Sequence, residues 1–253
     1  MGEVSAVRAR WIRVLPASLT AVALSAFALI AIGRRRRSWE RSERLIPPPS
    51  EPRSYESPSA ERAMGADRIP LEEAAAAAAE CRNCPLWEGT LVYGAGNADA
   101  DLMLIGGTPS EEELVAFGGE ADAFLDAMLH EIGVRREDVY LTTIVKHPVP
   151  GGRDPHADEI RPCIHWLEEQ VQLVEPKLLV PLGTVATRAL LGGKVKMGHV
   201  HGERSAWKGR TVIPTFHPEW LRRGGPDSQR MRDFRHDVAG IRRVLDLPQI
   251  HAA

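Results

Sequence analysis

The sequence predicts an α/β protein: a three-layer sandwich with a central, mostly parallel four-stranded sheet and helices on both faces, preceded by one N-terminal transmembrane helix and a flexible linker. Three observations carry that expectation. Short apolar runs alternate with segments whose apolar residues recur at helical spacing, as strands and crossover helices do. Near the start, an uncharged apolar stretch is flanked by arginines. Between it and the alternating part lies a polar tract rich in Pro, Ser, Glu and Arg.

Residues 1–13 form a basic N-terminal segment containing Arg8, Arg10 and Arg13. The expected transmembrane helix is 14–33, because 14–32 is an apolar run of about 19 residues and crosses a hydrocarbon core at ~1.5 Å per residue. Arg34-Arg35-Arg36-Arg37, Arg41 and Arg44 follow it. The positive-inside tendency then places the rest of the chain at the cytoplasmic face of the membrane, on a single-pass anchor. A cleaved signal peptide and a mis-assigned start are the rival readings. Four arginines directly after the run, with no clean small-x-small site before them, speak against the signal peptide. Residues 34–69, with Pro47-Pro48-Pro49 inside, lack periodic apolar positions and read as a disordered Pro/Arg-rich linker.

Order is expected over 70–248. The alanine-rich stretch 72–80 is a short helix leading into Cys81. Strand 101–105 feeds the tight turn Gly106-Gly107. Helix 120–132 follows, with Ala123, Phe124, Ala127, Met128 and Ile132 at helical spacing, then strand 139–145. Helix 158–174 carries Ile160, Ile164, Leu167, Val171 and Val174 on one face. Strand 178–182, helix 184–191, strand 211–215 and the amphipathic helix 229–245 complete the alternation.

Composition narrows the chemistry. With 34 acidic and 32 basic side chains in 253 residues, the net charge of −2 gives no global field for nucleic acid, although a local basic patch vanishes in such a sum. Three cysteines are too few and oddly numbered for a secreted disulfide framework. Cys81 and Cys84 form a C-x-x-C, which in a reducing compartment points to metal or redox work. At the exit of the last strand stands Thr215-Phe216-His217-Pro218-Glu219-Trp220-Leu221. Ligands of open α/β sheets bind at the carboxyl ends of strands, and Pro218 keeps His217 out of helical conformation, which aims its ring.

Four features line up along the chain: Cys81-Arg82-Asn83-Cys84-Pro85-Leu86; the turn Gly106-Gly107-Thr108-Pro109-Ser110 with Glu111-Glu112-Glu113 and Phe117-Gly118-Gly119; Thr142-Thr143-Ile144-Val145-Lys146-His147-Pro148 with Cys163 beyond; and Thr215 through Arg223. In that order and spacing, residues 81–245 resemble the iron–sulfur uracil-DNA glycosylases, the family-four type and the related X-type enzymes. The resemblance implies cleavage of the N-glycosidic bond of a deaminated base, uracil above all, flipped out of DNA. It makes His217 the donor that stabilises the departing uracil, as an oxyanion hole would. It makes Phe117 the ring that stacks on the base, and Gly106, Gly107, Thr108, Pro109 and Thr143 the rest of the substrate site. Trp220, Leu221, Arg222 and Arg223 take the place of the segment that enters DNA, as wedge and phosphate contacts. Cys81, Cys84, His147 and Cys163 take the ligand positions of a 4Fe–4S cluster, with zinc as the alternative for three Cys and one His. The implied partner is DNA containing uracil or another damaged base, the membrane is the second partner through the N-terminal helix, and a monomer is expected.

The chain also departs from the pattern. Where the family reads Gly-Glu-x-Pro-Gly, with the Glu positioning water, this chain has Gly107 at the Glu and Ser110 at the second Gly, and a shorter loop to Phe117. Glu111 and Glu113 are the candidates for the missing acid, Glu112 lies between them, and solvated helix-start acids are the competing reading. Thr143 replaces the asparagine that reads the uracil edge and lacks an amide's paired donor and acceptor. The X-type insertion whose histidine traps the sugar is missing, so covalent trapping is not expected. Of the remaining histidines, only His201 stands in a loop that could approach DNA. The leading reading is a membrane-tethered uracil-DNA glycosylase-like hydrolase, and the alternative is a catalytically weak or inactive DNA- or nucleotide-binding module of the same fold.

Overall fold

A strand sandwiched between helix layers must be apolar on both faces, and Leu102–Gly106 is buried at every position. The computed structural model describes residues 71–111 and 115–248. In chain order these form α1 (Leu71–Ala79), β1 (Ala95–Gly96), β2 (Leu102–Gly106), α2 (Gly119–Ile132), β3 (Val139–Thr143), α3 (Ala157–Val174), β4 (Leu178–Pro181) and α4 (Gly183–Leu191). Then come α5 (Met197–Val200), β5 (Ser205–Trp207), β6 (Arg210–Val212), α6 (Pro218–Arg222) and α7 (Gln229–Val244).

The sheet runs β1-β3-β2-β4-β6-β5. Its four inner strands are parallel, with Leu104 opposite Leu141 on one side and Val180 on the other. Both outer strands are antiparallel. The expected four-stranded sheet is therefore corrected to a six-stranded mixed one. The two strands that were not anticipated are two and three residues long, too short to show alternation. One of them, β5, is the first arm of a hairpin: Trp207 pairs with Arg210, and Lys208 takes the left-handed φ of 49° that a two-residue hairpin turn demands.

Alternation along the inner strands divides the core into two layers. Leu102 and Leu104 point to Phe124, Leu125 and Met128 of α2 and to Phe234, Val238 and Ile241 of α7. Met103 and Ile105 point the other way, to Leu167 and Val171 of α3 and Ala186 and Leu190 of α4. Helix α1 packs through Ala74 and Ala78 beside Tyr93 and Trp166.

A second correction concerns the membrane. Among the described residues no helix is long and apolar enough to cross one. The longest, α3, has 18 residues but carries Asp158, Glu159, Arg161, Glu168 and Glu169, so it is amphipathic. The expected basic segment 1–13, transmembrane helix 14–33 and linker 34–69 lie outside the described residues. The expected single-pass anchor, membrane partner and cytoplasmic-face localisation are corrected to this: no membrane-crossing helix stands among the described residues.

Candidate functional site

Strand β6 ends at Val212, and the chain continues extended to Thr215, which bridges in parallel to Leu182. His217 then caps the short helix α6. Its Nδ1 accepts the backbone N–H of Glu219 at 3.3 Å. That bond fixes the tautomer, because a ring nitrogen that accepts leaves the proton on the other one, Nε2. Burial pushes the imidazole below its ordinary value of 6.5, against the upward pull of the Glu219 carboxylate. The ring is therefore neutral near pH 7 and holds an N–H donor at Nε2. Gly183 backs it: with φ at 82° and no side chain, it lets the His217 Cβ approach to 3.1 Å from where its own Cβ would stand.

Phe117 is buried, with its ring centroid 6.1 Å from that of His217 and the planes tilted by 44°. A Cβ on Gly106 would lie 3.0 Å from the Phe117 ring and 3.3 Å from the Thr143 methyl, so these three close the end of β2 and β3 together. Thr143 is fully buried and its hydroxyl donates to the Val145 carbonyl at 2.7 Å. The proton is thereby used, and only lone pairs remain for a ligand. Gly107 packs on Val185, whose Cβ and Cγ1 lie 2.9 Å from the place of a Cβ at 107. No side chain enters there without moving Val185. Pro109 is buried and Thr108 half-buried, its hydroxyl turned to the Pro109 carbonyl at 3.4 Å.

The acids of the turn are dispersed. Glu111 is exposed and accepts the Gly151 N–H at 3.1 Å, which ties the turn to the loop before α3. Glu113 and its neighbour Glu112 lie outside the described residues.

The segment after His217 differs from its expected role at several positions. Leu221 is fully buried in the core layer that α2 and α7 share, so it faces the core and not a DNA surface. Trp220 keeps 38% of its surface, but Phe216 stacks on it at 4.4 Å and the Arg230 guanidinium sits 4.2 Å from its ring centroid. With both faces covered, it offers an edge rather than a wedge. Arg222 is paired with Glu219 and Glu120. Arg223 also meets Glu219 but is 68% exposed and remains available to a phosphate.

The loop after α1 brings Cys81 and Cys84 within electrostatic reach of Cys163, and Arg82 within reach of His147. Cys84, His147 and Cys163 are buried. Burial raises the Cys84 thiol, with Cys81 adding to the rise. Burial also raises Cys163, against the Lys146 N–H that bonds its Sγ at 3.3 Å. His147 Nδ1 is buried with no hydrogen-bond partner, and burial, then the Arg82 charge, lower its affinity for a proton. A buried imidazole nitrogen with no hydrogen-bond partner is, by its chemistry, a candidate metal donor. Among the described residues, however, no three such donors surround one common ion point.

Between these two regions sits a residue that sequence reasoning passed over. Lys146 is fully buried, and its ammonium donates to Thr142 Oγ1, the Thr143 carbonyl and Gln170 Oε1, each at 2.7 Å. Desolvation lowers its pKa to about 7, with Cys163 opposing. The available signal was a lysine directly after the unbroken buried run 139–145. The pairing of His201 with Asp237 was likewise not read, since it joins loop to helix across 36 positions.

Residues 93–239 match the family model described as the uracil DNA glycosylase superfamily. A type-4 uracil-DNA glycosylase of Thermotoga maritima is 37% identical over 158 residues, covering 60% of this chain and 82% of that protein. That of Sulfurisphaera tokodaii is 35% identical over 155 residues, covering 54% and 69%. The type-4 enzyme of Pyrobaculum aerophilum is 30% identical over 187 residues, covering 66% and 92%.

Proposed function

The chain belongs to the uracil DNA glycosylase superfamily, and we propose that it is a DNA N-glycosylase that hydrolyses the bond joining a flipped-out deaminated base, uracil in the first instance, to its sugar. One observation carries the proposal: a neutral, half-buried His217 with Nδ1 occupied and Nε2–H left to donate, facing a buried aromatic ring. When the C1′–N1 bond breaks, both electrons leave with the base and negative charge gathers on its O2. A fixed donor aimed there in a dry site stabilises that charge more than the ground-state carbonyl, which is what lowers a barrier. Phe117 provides a face for the base, and Thr143 lone pairs accept from its N3–H. Water then bonds to C1′, and the proton it loses ends on the released base. Glu111 is the described acid of the turn able to orient that water, with Glu113 two positions further along the chain. Arg223 contacts a phosphate, beside the Trp220 edge.

We also assign Cys81, Cys84, His147 and Cys163 to a 4Fe–4S cluster. Three thiols and an unpartnered imidazole nitrogen fit such a group by donor chemistry. Bound there, it would tie the loop after α1 to the segment after β3 and to α3; a single zinc ion is the competing occupant.

The test is single-turnover release of base from a uracil-containing single strand, beside a duplex and a panel of hypoxanthine, xanthine and thymine mismatches. Uracil released fastest from the single strand, where extrusion costs least, is the expected result. The packing of Gly107 on Val185 favours a second reading, a binding module that lost its water-positioning acid. Tight binding of uracil-DNA with no base released would establish that reading instead.

A further inference from the structure

The glycosylase reading uses His217 and leaves unexplained a buried carboxylate bonded to the strand exit that precedes it. Asp237, on α7, is fully buried. One of its oxygens accepts the Thr215 hydroxyl at 2.7 Å, and Thr215 is fully buried two residues before His217. The other oxygen meets His201 Nδ1 at 2.8 Å. The His201 ring then lies 4.6 Å from Phe216, the residue directly before His217, and Phe216 stacks on Trp220, three residues after it. Backbone bonds complete the arrangement: Gly183 N–H to the Thr215 carbonyl and Gly202 N–H to the Pro214 carbonyl, both 2.8 Å.

A carboxylate without solvent costs stability unless every lone pair that matters is met, so such a group is kept where the geometry it enforces matters. Here the two partners are the strand exit that delivers His217 and the loop that supports Phe216. We propose that Asp237 and His201 are positioning residues for His217: the carboxylate grips Thr215, orients His201 against Phe216, and thereby sets where the His217 Nε2–H points. Neither touches the base. The proposal rests on the glycosylase reading for its kinetic consequence only, since ring placement is measurable without turnover.

The experiment pairs Thr215→Val, which removes the hydroxyl at nearly constant shape, with Thr215→Ser, which keeps it, and adds His201→Ala. In 15N-histidine-labelled protein, the His217 ring signals are identified by their loss in His217→Ala. Thr215→Val and His201→Ala should move those signals and lower kcat about ten- to a hundredfold, the scale of a displaced catalytic group, with KM changed by no more than about twofold. Thr215→Ser should restore both. Ring signals unmoved in both variants, with kcat unchanged, overturn the proposal. Should Thr215→Val fail to fold by circular dichroism, His201→Ala decides alone. Should the wild type release no base, the glycosylase reading falls, while ring signals that move in Thr215→Val and return in Thr215→Ser still uphold the brace.

Discussion

The segment that delivers His217 and the turn that carries Gly107 meet at the same end of the sheet, yet they are held in different ways. The histidine is enclosed: Gly183 behind it, the Glu219 N–H on its Nδ1, Thr215 gripped by Asp237, and Phe216 between His201 and Trp220. The turn has Val185 where a side chain would project, and its described acid is exposed and tied to Gly151. On the proposed glycosylase reading, one side would stabilise the leaving group and the other would do little to aim a nucleophile. Departure of the base can therefore be fast relative to what the water side contributes, and the chemistry leans on electrostatic preorganisation at one imidazole.

The comparison breaks most sharply at Gly183. Replacing it with Val forces a Cβ towards His217 at a positive φ, and single-turnover base release should fall about a hundredfold, as for a misplaced catalytic group, while Phe117→Ala leaves the histidine in place. The latter should weaken capture of the base by about ten- to a hundredfold in KM, since base–aromatic stacking is worth ~1–3 kcal/mol. If Gly183→Val is silent, the enclosure of His217 has no catalytic meaning.

The turn side gives a reversed expectation. Gly107→Glu restores an acid yet overpacks Val185, so it should cost about 1–3 kcal/mol in denaturant unfolding with no gain in rate. Adding Val185→Ala should recover the loss and raise base release. A gain from Gly107→Glu alone would show that the turn has room the structure does not display.

The pH profile tests the neutral ring. The folded-state pKa of His217 lies below 6.5, so its contribution to stability is present above that value and lost as pH falls through the lowered one. Base release should be flat between about pH 7 and 8 and decline by about tenfold per unit only below the lowered pKa. A rate that rises on acidification would mean that the imidazolium is the working form. The smallest effect is expected at Glu111→Gln, within about threefold, because an exposed carboxylate in high dielectric orients water weakly. A loss of a hundredfold there would place the water-aiming acid on the turn after all.

How much of this could be read without coordinates follows the same division. The buried runs 101–105, 139–145 and 178–182 carry enough apolar residues to declare strands, and the His-Pro step announces a strand exit. The edge strands Ala95–Gly96 and Ser205–Trp207 are too short to leave a pattern. Leu221 sits among polar and aromatic neighbours, so nothing local tells that it turns into the core. The Lys146 network and the Asp237–His201 pair are long-range contacts between buried polar groups, which periodicity does not encode. Gly107 was legible as a departure, but only its contact with Val185 shows that the vacancy is filled.

The most direct test of the central claim compares wild type with His217→Ala in single-turnover release of uracil from one single-stranded oligonucleotide, at matched DNA occupancy and matched visible absorption of the protein. The account predicts release by the wild type and a loss of about a hundred- to a thousandfold in the variant, the effect of removing one oxyanion-type donor. Equal rates in the two proteins would contradict it.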